Sequence, residues 1–554
     1  MLEGFVAWPA EFAARYRELG YWRGETLGQM LWSRAEETPT RVAVVDGERS
    51  WTYRELEHES ARLAAGLRRL GIARGERVLV QLPNVAEFLS LSFALFRIGA
   101  IPVFALPAHR ETEIVHLANL SESVAYVVAD VHLGFDYRVL ARTIRERAPK
   151  VRLILVVGDG QEFASLSELS RTWSDAQIPG GLAEKIEPEP DPSDVALLLL
   201  SGGTTGSPKL IPRTHDDYVC NIRLSVEAAG LHADSRYLVC LPIAHNFALG
   251  CPGALGCLYA GGTVVLCPEA SPETAFRLIE RKAITVTALI PPLVLLWLEA
   301  TEWVTADLGS LELLQVGGAR LKAETAARVR GALGCALQQV YGMAEGLLNF
   351  TGRGEPDAIV FETQGRPVAA DDELRIVDGN DAEVADGELG ELQVRGPYTI
   401  RGYYRADAYN RQAFTSDGFY RSGDLVRKLP SGHLIVEGRS KDVINRGGDK
   451  VPVEELENYL LSYPRIRDVA LVGIPDEAMG ERTCACIIAR DAAPTLAELN
   501  THLRRIGVAA FKLLDRCIAL DSFPKTALGK VNKRALAAQV AAHLQAGRGT
   551  QKPL

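Results

Sequence analysis

No apolar stretch of the 554-residue chain reaches the ~18 residues needed to cross a bilayer. The best candidate, Ile284–Leu298, is short and is interrupted by Pro291 and Pro292. The amino-terminal segment has no continuous apolar core either, because Glu3, Glu11, Arg15 and Arg17 break it, so no secretory leader is expected. The nine cysteines include no C-x-x-C pair, and an odd number without that spacing reads as reduced thiols in a cytoplasmic protein. Cys484 and Cys486, two apart on an expected strand, should share one face as small buried hydrophobes rather than as metal ligands. A basic excess is missing too: 61 Lys and Arg stand against 70 Asp and Glu, a formal charge of −9. Such a chain lacks the positive footprint of a general binder of nucleic acid or anionic membrane. There is no internal repeat.

What is present is a large core and a regular alternation of elements. An apolar content of 47% excludes a disordered chain, and the length leaves room for three or four compact units at roughly 150 residues each. Thr52-Tyr-Arg-Glu55 spells a capping box that opens a helix with Leu56, Leu63, Leu67 and Leu70 on one side, stopped at Gly71. A strand is expected at 77–82, a helix through Phe88, Leu91 and Leu95, and a strand near 101–105. Short apolar runs at 124–129 and 151–157 are of the buried parallel-strand type. This is an α/β pattern with parallel sheets. Residues 178–194, rich in Pro, Glu and Gly, read as a solvated connection. Strands at 373–377, 391–395 and 433–436, punctuated by Gly and Asp, indicate a β-rich subdomain at about 365–438. From about Ser440 a new alternation begins. The expected architecture is therefore a large amino-terminal α/β domain (1–438), a hinge at 439–441 and a small, mobile α+β carboxy-terminal domain (442–554).

The most informative segment is Leu197–His215, LLLLSGGTTGSPKLIPRTH. An apolar run empties into Ser201, Gly202, Gly203, Thr204, Thr205 and Gly206, followed by Lys209. Glycines admit an anion to backbone N–H groups, and the threonine hydroxyls can donate to phosphate oxygens. The loop is not a Walker A motif, because Ser207 and Pro208 stand between the last glycine and the lysine.

With its complete string S-G-G-T-T-G-S-P-K, the segment resembles the adenylate-forming enzymes: acyl-CoA and aryl-CoA ligases, peptide-synthetase adenylation domains and luciferases. The resemblance covers essentially the whole chain, because four further motifs follow in order: QQVYGMAEG (338–346), YRSGDL (420–425), GRSKDVINRGGDKVPVEE (438–455) and PKTALGKVNK (524–533). The reaction it implies is attack of a carboxylate on the α-phosphorus of ATP, with release of pyrophosphate. The resemblance places Val340, Tyr341, Gly342, Met343 and Ala344 against the nucleotide, with Tyr341 on the base. Glu345, together with Thr204, would hold Mg2+. Gly317, Gly318 and Ala319 would offer bare backbone to the adenine edge. Asp424 would accept the ribose hydroxyls, with Val436 and Arg439 beside the sugar. Lys530 is implied as the catalytic cation and Lys441 as the hinge about which the carboxy-terminal domain turns between half-reactions. Asn445-Arg446-Gly447-Gly448 would line the path of the thiol.

The acid is read from Leu241–Gly253, LPIAHNFALGCPG. Amino-acid-activating relatives place an aspartate where this chain has Asn246. A neutral amide cannot compensate a buried ammonium but can bond a hydroxyl or carboxylate oxygen. The strings AHNF and GGTTGSPKLIPRTHDDY resemble the stand-alone aryl-acid AMP ligases of siderophore assembly, which load salicylate or 2,3-dihydroxybenzoate onto a carrier. His245 would then lie beside the carboxylate, with Phe247, Gly318, Cys251 and Leu348 in the pocket. Enzymes for 2,3-dihydroxybenzoate carry serine at the position of Cys251 and valine at that of Leu348, so salicylate is the expected acid. With 24 residues after Lys530, the thiol acceptor is expected to be a separate phosphopantetheinylated aryl carrier protein. The alternatives are a 2,3-dihydroxybenzoate-AMP ligase, a ligase using free coenzyme A, and an inactive nucleotide-binding protein on this fold.

Overall fold

The structure, a computed structural model, describes residues 2–171, 189–201, 208–439, 443–446, 449–476, 480–506, 508, 512–526 and 530–547. These divide into two compact units, fewer than the length alone allows, because the first holds two large sheets. It comprises residues 1–374, 394–421 and 432–434; the second comprises 375–393, 422–431 and 435–554.

In the first unit a nine-stranded sheet runs in the order Arg366–Pro367, Leu348–Phe350, Ala336–Gly342, Leu313–Gly317, Val286–Leu289, Arg236–Val239, Thr263–Leu266, Val42–Asp46, Arg49–Thr52. Its interior pairs are parallel, and antiparallel pairing is confined to the outer strands. A seven-stranded sheet runs Leu210–Thr214, Val195–Leu200, Ile101–Phe104, Arg77–Gln81, Ala125–Ala129, Leu153–Val157, Ala164–Ser165. It is parallel except where Leu210–Thr214 turns back on Val195–Leu200. Strands Ile101–Phe104 and Ala125–Ala129 are buried from end to end, and Val195–Leu200 is buried up to its last residue, as the apolar runs require. The Thr52 capping box forms, and its helix spans Tyr53–Arg69 with Leu70 as the cap. The segment expected as a solvated connection lies largely outside the described residues.

The second unit carries a four-stranded sheet, Glu373–Val377, Gly390–Arg395, Tyr420–Lys428, Leu434–Arg439, and a five-stranded sheet. In the latter, Gly480–Ala489 lies between Ile466–Asp476 and Arg516–Ala519. Cys484, Cys486 and Ile488 pack with Phe523, Leu536 and Val540, while Ala485 and Ile487 face Leu456, Leu499 and Leu503. The two thiols thus share one buried face. All nine cysteines are unpaired thiols. Among the described residues no helix is long and apolar enough to cross a membrane.

Two helix N-termini meet in the first unit. Helix Leu27–Glu37 is capped by Thr26, and the Leu27 N–H donates to Nδ1 of His215, the first residue of helix His215–Ala229, at 3.2 Å. Burial pushes the imidazole down to about 4; Asp194 and Asp191 oppose the shift and Arg74 adds to it. The folded ring therefore stays neutral while an unfolded one protonates below about 6.5. The associated stability is complete above that pH and is lost as pH falls toward 4, up to about 3 kcal/mol. His215→Asn, whose amide oxygen can replace Nδ1, should reduce the loss of unfolding free energy between pH 7 and pH 4.5 by about 2 kcal/mol. Denaturant unfolding at the two pH values measures it.

Candidate active site

The corner where strand Leu210–Thr214 becomes helix His215–Ala229 organises one end of the site. Thr214 and Asp217 form a capping box, with the Thr214 N–H donating to the Asp217 carboxylate at 2.6 Å. Arg213, fully buried, donates from Nε to Asp217 at 2.6 Å and from its terminal nitrogens to the carbonyls of Ala344 at 2.9 Å and Tyr398 at 3.2 Å. Its guanidinium lies 4.8 Å from the Tyr218 ring centroid. Burial raises the Asp217 carboxyl, against the pull of Arg213 and Thr214.

Tyr218 carries this arrangement toward the expected acid pocket. Its hydroxyl donates to Asn246 Oδ1 at 2.9 Å, and Asn246 Nδ2 donates to Cys251 Sγ at 3.3 Å. One turn on, Asn221 Nδ2 donates to the Gly250 carbonyl at 2.6 Å. His245 caps the short helix Asn246–Gly250 by accepting the Phe247 N–H at Nδ1, 3.2 Å. An acceptor at Nδ1 leaves the proton on Nε2 in the neutral ring. Asn246, Phe247 and Cys251 are buried and His245 is half-buried. Burial pushes the Cys251 thiol up to about 12, so it remains neutral.

Phe247 also reaches the other expected wall. A Cβ on Gly317 would lie 2.8 Å from the Val340 carbonyl and 3.0 Å from Phe247 Cζ, which explains why a glycine ends strand Leu313–Gly317. Gly318, at φ +79°, then turns the chain into the exposed Ala319. Strand Ala336–Gly342 pairs Tyr341 with Asn349 and Gly342 with Leu348, and Asn349 Nδ2 donates to the Tyr341 carbonyl at 3.2 Å. Leu348 is buried and Tyr341 half-buried. Met343 N–H donates to Leu347 O at 3.1 Å, closing the turn that carries Ala344 and Glu345.

The Glu345 carboxylate is buried and its Oε1 accepts from Tyr403 at 2.7 Å; the Tyr403 hydroxyl is 2.9 Å from that of Tyr420. Burial, then the adjoining carboxylate, raises the Tyr403 phenol far above its ordinary value, so it acts as a neutral donor. At the neck of the Gly-rich loop, Ser201 N–H donates to Lys209 O at 3.0 Å and Lys209 N–H to Ser201 Oγ at 3.1 Å. Lys209 Nζ rests 4.0 Å from the Tyr409 ring centroid. Gly202, Gly203, Thr204, Thr205 and Gly206 lie outside the described residues. Among the described residues no three His, Cys, Asp or Glu side chains gather as a metal cage. A single oriented carboxylate is nonetheless the donor Mg2+ takes alongside substrate phosphates, so Glu345 fits that ion.

In the second unit Asp424 is buried on strand Tyr420–Lys428, with its N–H donated to Ser422 Oγ at 3.1 Å. Val436 lies half-buried on Leu434–Arg439, which Arg439 ends. Lys530 is exposed beside an antiparallel bridge between Lys525 and Val531: Thr526 N–H donates to Lys530 O and Asn532 N–H to Pro524 O, each at 2.7 Å. Lys441, Gly447 and Gly448 lie outside the described residues. Arg446 pairs with Asp515 at 2.7 Å; burial would raise that carboxyl, but Arg446 and Thr483 hold it below its usual range.

The sequence reading passed over Arg213, Asp217, Tyr218, Asn221, Tyr403 and Tyr409. Thr214-x-x-Asp217 does spell a capping box, and Tyr218 and Asn221 are three apart on its helix, so a signal for that group was present. No local pattern marks Tyr403.

A profile of the AMP-binding enzyme family matches residues 31–404, and that of the AMP-binding enzyme C-terminal domain matches 455–530. The chain belongs to this family of adenylate-forming enzymes. It is 50% identical over 548 residues to the 2,3-dihydroxybenzoate-AMP ligase of Bacillus subtilis strain 168, covering 99% of each chain. It is also 50% identical over 544 residues to the Salicyl-AMP ligase / salicyl-S-ArCP synthetase of Mycobacterium tuberculosis, covering 97% of this chain and 95% of that one. Among solved structures it resembles apo MbtA of Mycobacterium smegmatis, at 49% identity and TM-score 0.75 over 97% of this chain and 99% of that one.

Removing one partner of a buried pair strands the other charge, at about 3–5 kcal/mol. Arg213→Met should lower unfolding free energy by about that much, and Arg213→Met/Asp217→Leu should recover part of it. Chemical denaturation of the two variants is the measurement.

Proposed function

We propose that the chain joins an aryl acid to AMP at the expense of ATP and passes the acyl group to a phosphopantetheine thiol of an aryl carrier protein. The observation that carries this reading is the neutral constellation Tyr218–Asn246–Cys251 next to His245. It has amide, phenol and thiol groups for a substituted ring, and no carboxylate at Asn246 to pair an ammonium. Names of the two relatives at 50% identity include both 2,3-dihydroxybenzoate and salicylate, so the choice between the acids rests on the pocket residues.

In the first half-reaction a substrate carboxylate oxygen attacks the α-phosphorus. The P–O bond to the β-phosphate breaks, pyrophosphate departs with the electron pair, and an aryl-adenylate remains. Three anionic groups crowd together, so aimed donors and cations govern the barrier. His245, with its proton on Nε2, donates to the acid's carboxylate and orients it. Lys530 supplies a point charge shared by that carboxylate and the α-phosphate. Ser201, Lys209 and the intervening loop receive the outer phosphates. Gly317, Gly318, Ala319 and residues 340–344 receive the base, Asp424 the ribose hydroxyls, and Val436 and Arg439 flank the sugar. Mg2+, when bound, would be held by Glu345 and Thr204 and would shield phosphate charge. In the second half-reaction the thiol loses its proton and attacks the acyl carbon, and AMP leaves. One lysine cannot both guard the phosphate and clear the thiol's path, so Lys441 is the proposed pivot.

Salicylate is the favoured acid. The neutral Cys251 thiol already receives Asn246 and is a weak partner for a 3-hydroxyl, and Leu348 adds a methylene where a valine would leave room. An unmatched buried hydroxyl costs about 1–3 kcal/mol, a preference of roughly tenfold or more.

ATP–pyrophosphate exchange across salicylate, 2,3-dihydroxybenzoate, benzoate, anthranilate and several amino acids tests the class of acid. Thioester formation with holo-carrier against free coenzyme A tests the acceptor. Exchange with no aryl acid would remove the reading altogether. Lys530→Ala should lose roughly 10²–10³-fold or more in adenylation while thiolation of pre-formed aryl-adenylate is retained; normal exchange in that variant would reassign the cation. Cys251→Ser should raise kcat/KM for 2,3-dihydroxybenzoate relative to salicylate, by roughly tenfold.

A further inference from the structure

Asn84 lies in the turn after strand Arg77–Gln81 of the seven-stranded sheet, just before helix Ala86–Ile98. Its side chain reaches across to the nine-stranded sheet, where the neighbouring parallel strands Arg236–Val239 and Thr263–Leu266 end. Nδ2 donates to the carbonyls of Val239 at 3.0 Å, Leu241 at 3.1 Å and Cys267 at 3.0 Å, and Oδ1 accepts the Ile243 N–H at 2.8 Å. Two amide hydrogens thus serve three acceptors, one of them shared, and both ends of the amide are engaged. Cys267 N–H in turn donates to Val239 O at 3.1 Å, closing the two strand ends on each other.

The segment held in this way leads directly into the acid pocket. His245 N–H donates to Pro242 O at 2.9 Å, and His245 then caps the helix that bears Asn246 and Phe247. Three of the four bonds fall on residues 239–243, so a side chain in the turn after a strand of the other sheet holds the segment that precedes His245. No other type of side chain performs this task as well. Aspartate would present a charge to three carbonyl oxygens, and leucine, of similar size, would leave those carbonyls and the Ile243 N–H without partners.

We propose that Asn84 is a positioning residue for the aryl acid. It clamps residues 239–243, sets where His245 and Asn246 stand, and thereby governs affinity and selectivity for the acid while leaving nucleotide affinity untouched. The proposal rests on the assignment of 245–251 as the acid pocket. It assigns no contact between Asn84 and substrate.

Asn84→Ala removes both ends of the clamp; Asn84→Asp keeps the acceptor for Ile243 and removes the donors. With the full chain, KM for salicylate and for ATP are measured separately by pyrophosphate exchange, alongside thermal unfolding. Displacements of about an ångström at a reacting group can cost on the order of 10²-fold, so a rise of roughly tenfold or more in the salicylate KM is expected. The ATP KM should stay within about twofold and the preference for salicylate should narrow. Folded variants with an unchanged salicylate KM, or with both KM values raised alike, would overturn the clamp. If neither variant folds, amide exchange in the unliganded wild-type chain decides: strong protection of the Ile243 N–H supports the clamp, and exchange at the rate of an open turn overturns it. A wild-type chain inactive on every aryl acid removes the pocket assignment and the proposal with it, whereas an active wild type with unmoved variants removes the clamp alone.

Discussion

Arg213 is fully buried, and a guanidinium out of water must be answered on every face or its desolvation, several kcal/mol, goes uncompensated. The answers come from widely separated parts of the chain: the Asp217 carboxylate, the carbonyls of Ala344 and Tyr398, and the ring of Tyr218. Each adjoins a residue to which the proposed chemistry gives a role. Ala344 precedes Glu345, whose own carbonyl accepts the Ile400 N–H at 2.8 Å, two residues beyond Tyr398. Leu210–Thr214 is the strand that follows the Gly-rich loop. A buried ion pair adds little net stability over a well-packed apolar one, so the value of this charge is in specifying geometry. If the 344 turn or the 398 segment drifted, the guanidinium would lose a partner it cannot replace with water.

Tyr218 connects this charged hub to the proposed acid pocket, which is built on the opposite principle. Its ring lies against the guanidinium and its hydroxyl reaches Asn246. Burial raises the Tyr218 phenol and the Cys251 thiol, so both stay neutral, and Asn246 is an amide. The division suits the proposed substrates. The acid brings its own negative charge at one end and an apolar ring at the other, so fixed charge is useful beside the carboxylate and harmful around the ring. A charged residue at position 246 would need a counter-charge on the substrate, which an aryl acid does not offer.

Much of the fold was legible because it is locally encoded. The Thr52 capping box opened its helix, the apolar runs at 124–129 and 151–157 became buried parallel strands at Ala125–Ala129 and Leu153–Val157, and Cys484 and Cys486 fell on one buried face as the period of a strand requires. Arg213 was not legible for a physical reason. It stands four residues before Asp217, the spacing of a helical pair, yet the chain between them changes from strand to helix, so neither period applies. The Tyr403–Glu345 bond joins residues 58 apart, and the partners of Asn84 lie 155 to 183 residues away. Contacts of that range leave no spacing to read; they exist only once two sheets have placed their strand ends.

That Asn84 and Asn246, the two residues proposed to shape the acid pocket, are both amides follows from the load they carry. Asn84 must satisfy three carbonyls and one N–H, and Asn246 must take a phenol and give to a sulfur. The Asn84 task needs two donor hydrogens and an acceptor on one short group, which among uncharged side chains Asn and the longer, looser Gln provide. A lysine or aspartate could meet one half of either list and would add a charge next to an aryl ring. The proposed acid pocket would therefore work by dipoles. Lys209, at the neck of the Gly-rich loop, and Lys530 are the cations proposed to meet the phosphates. In the proposed reaction the neutral groups serve the aryl ring and the two lysines serve the phosphates, so dipoles and charges answer different parts of the substrates.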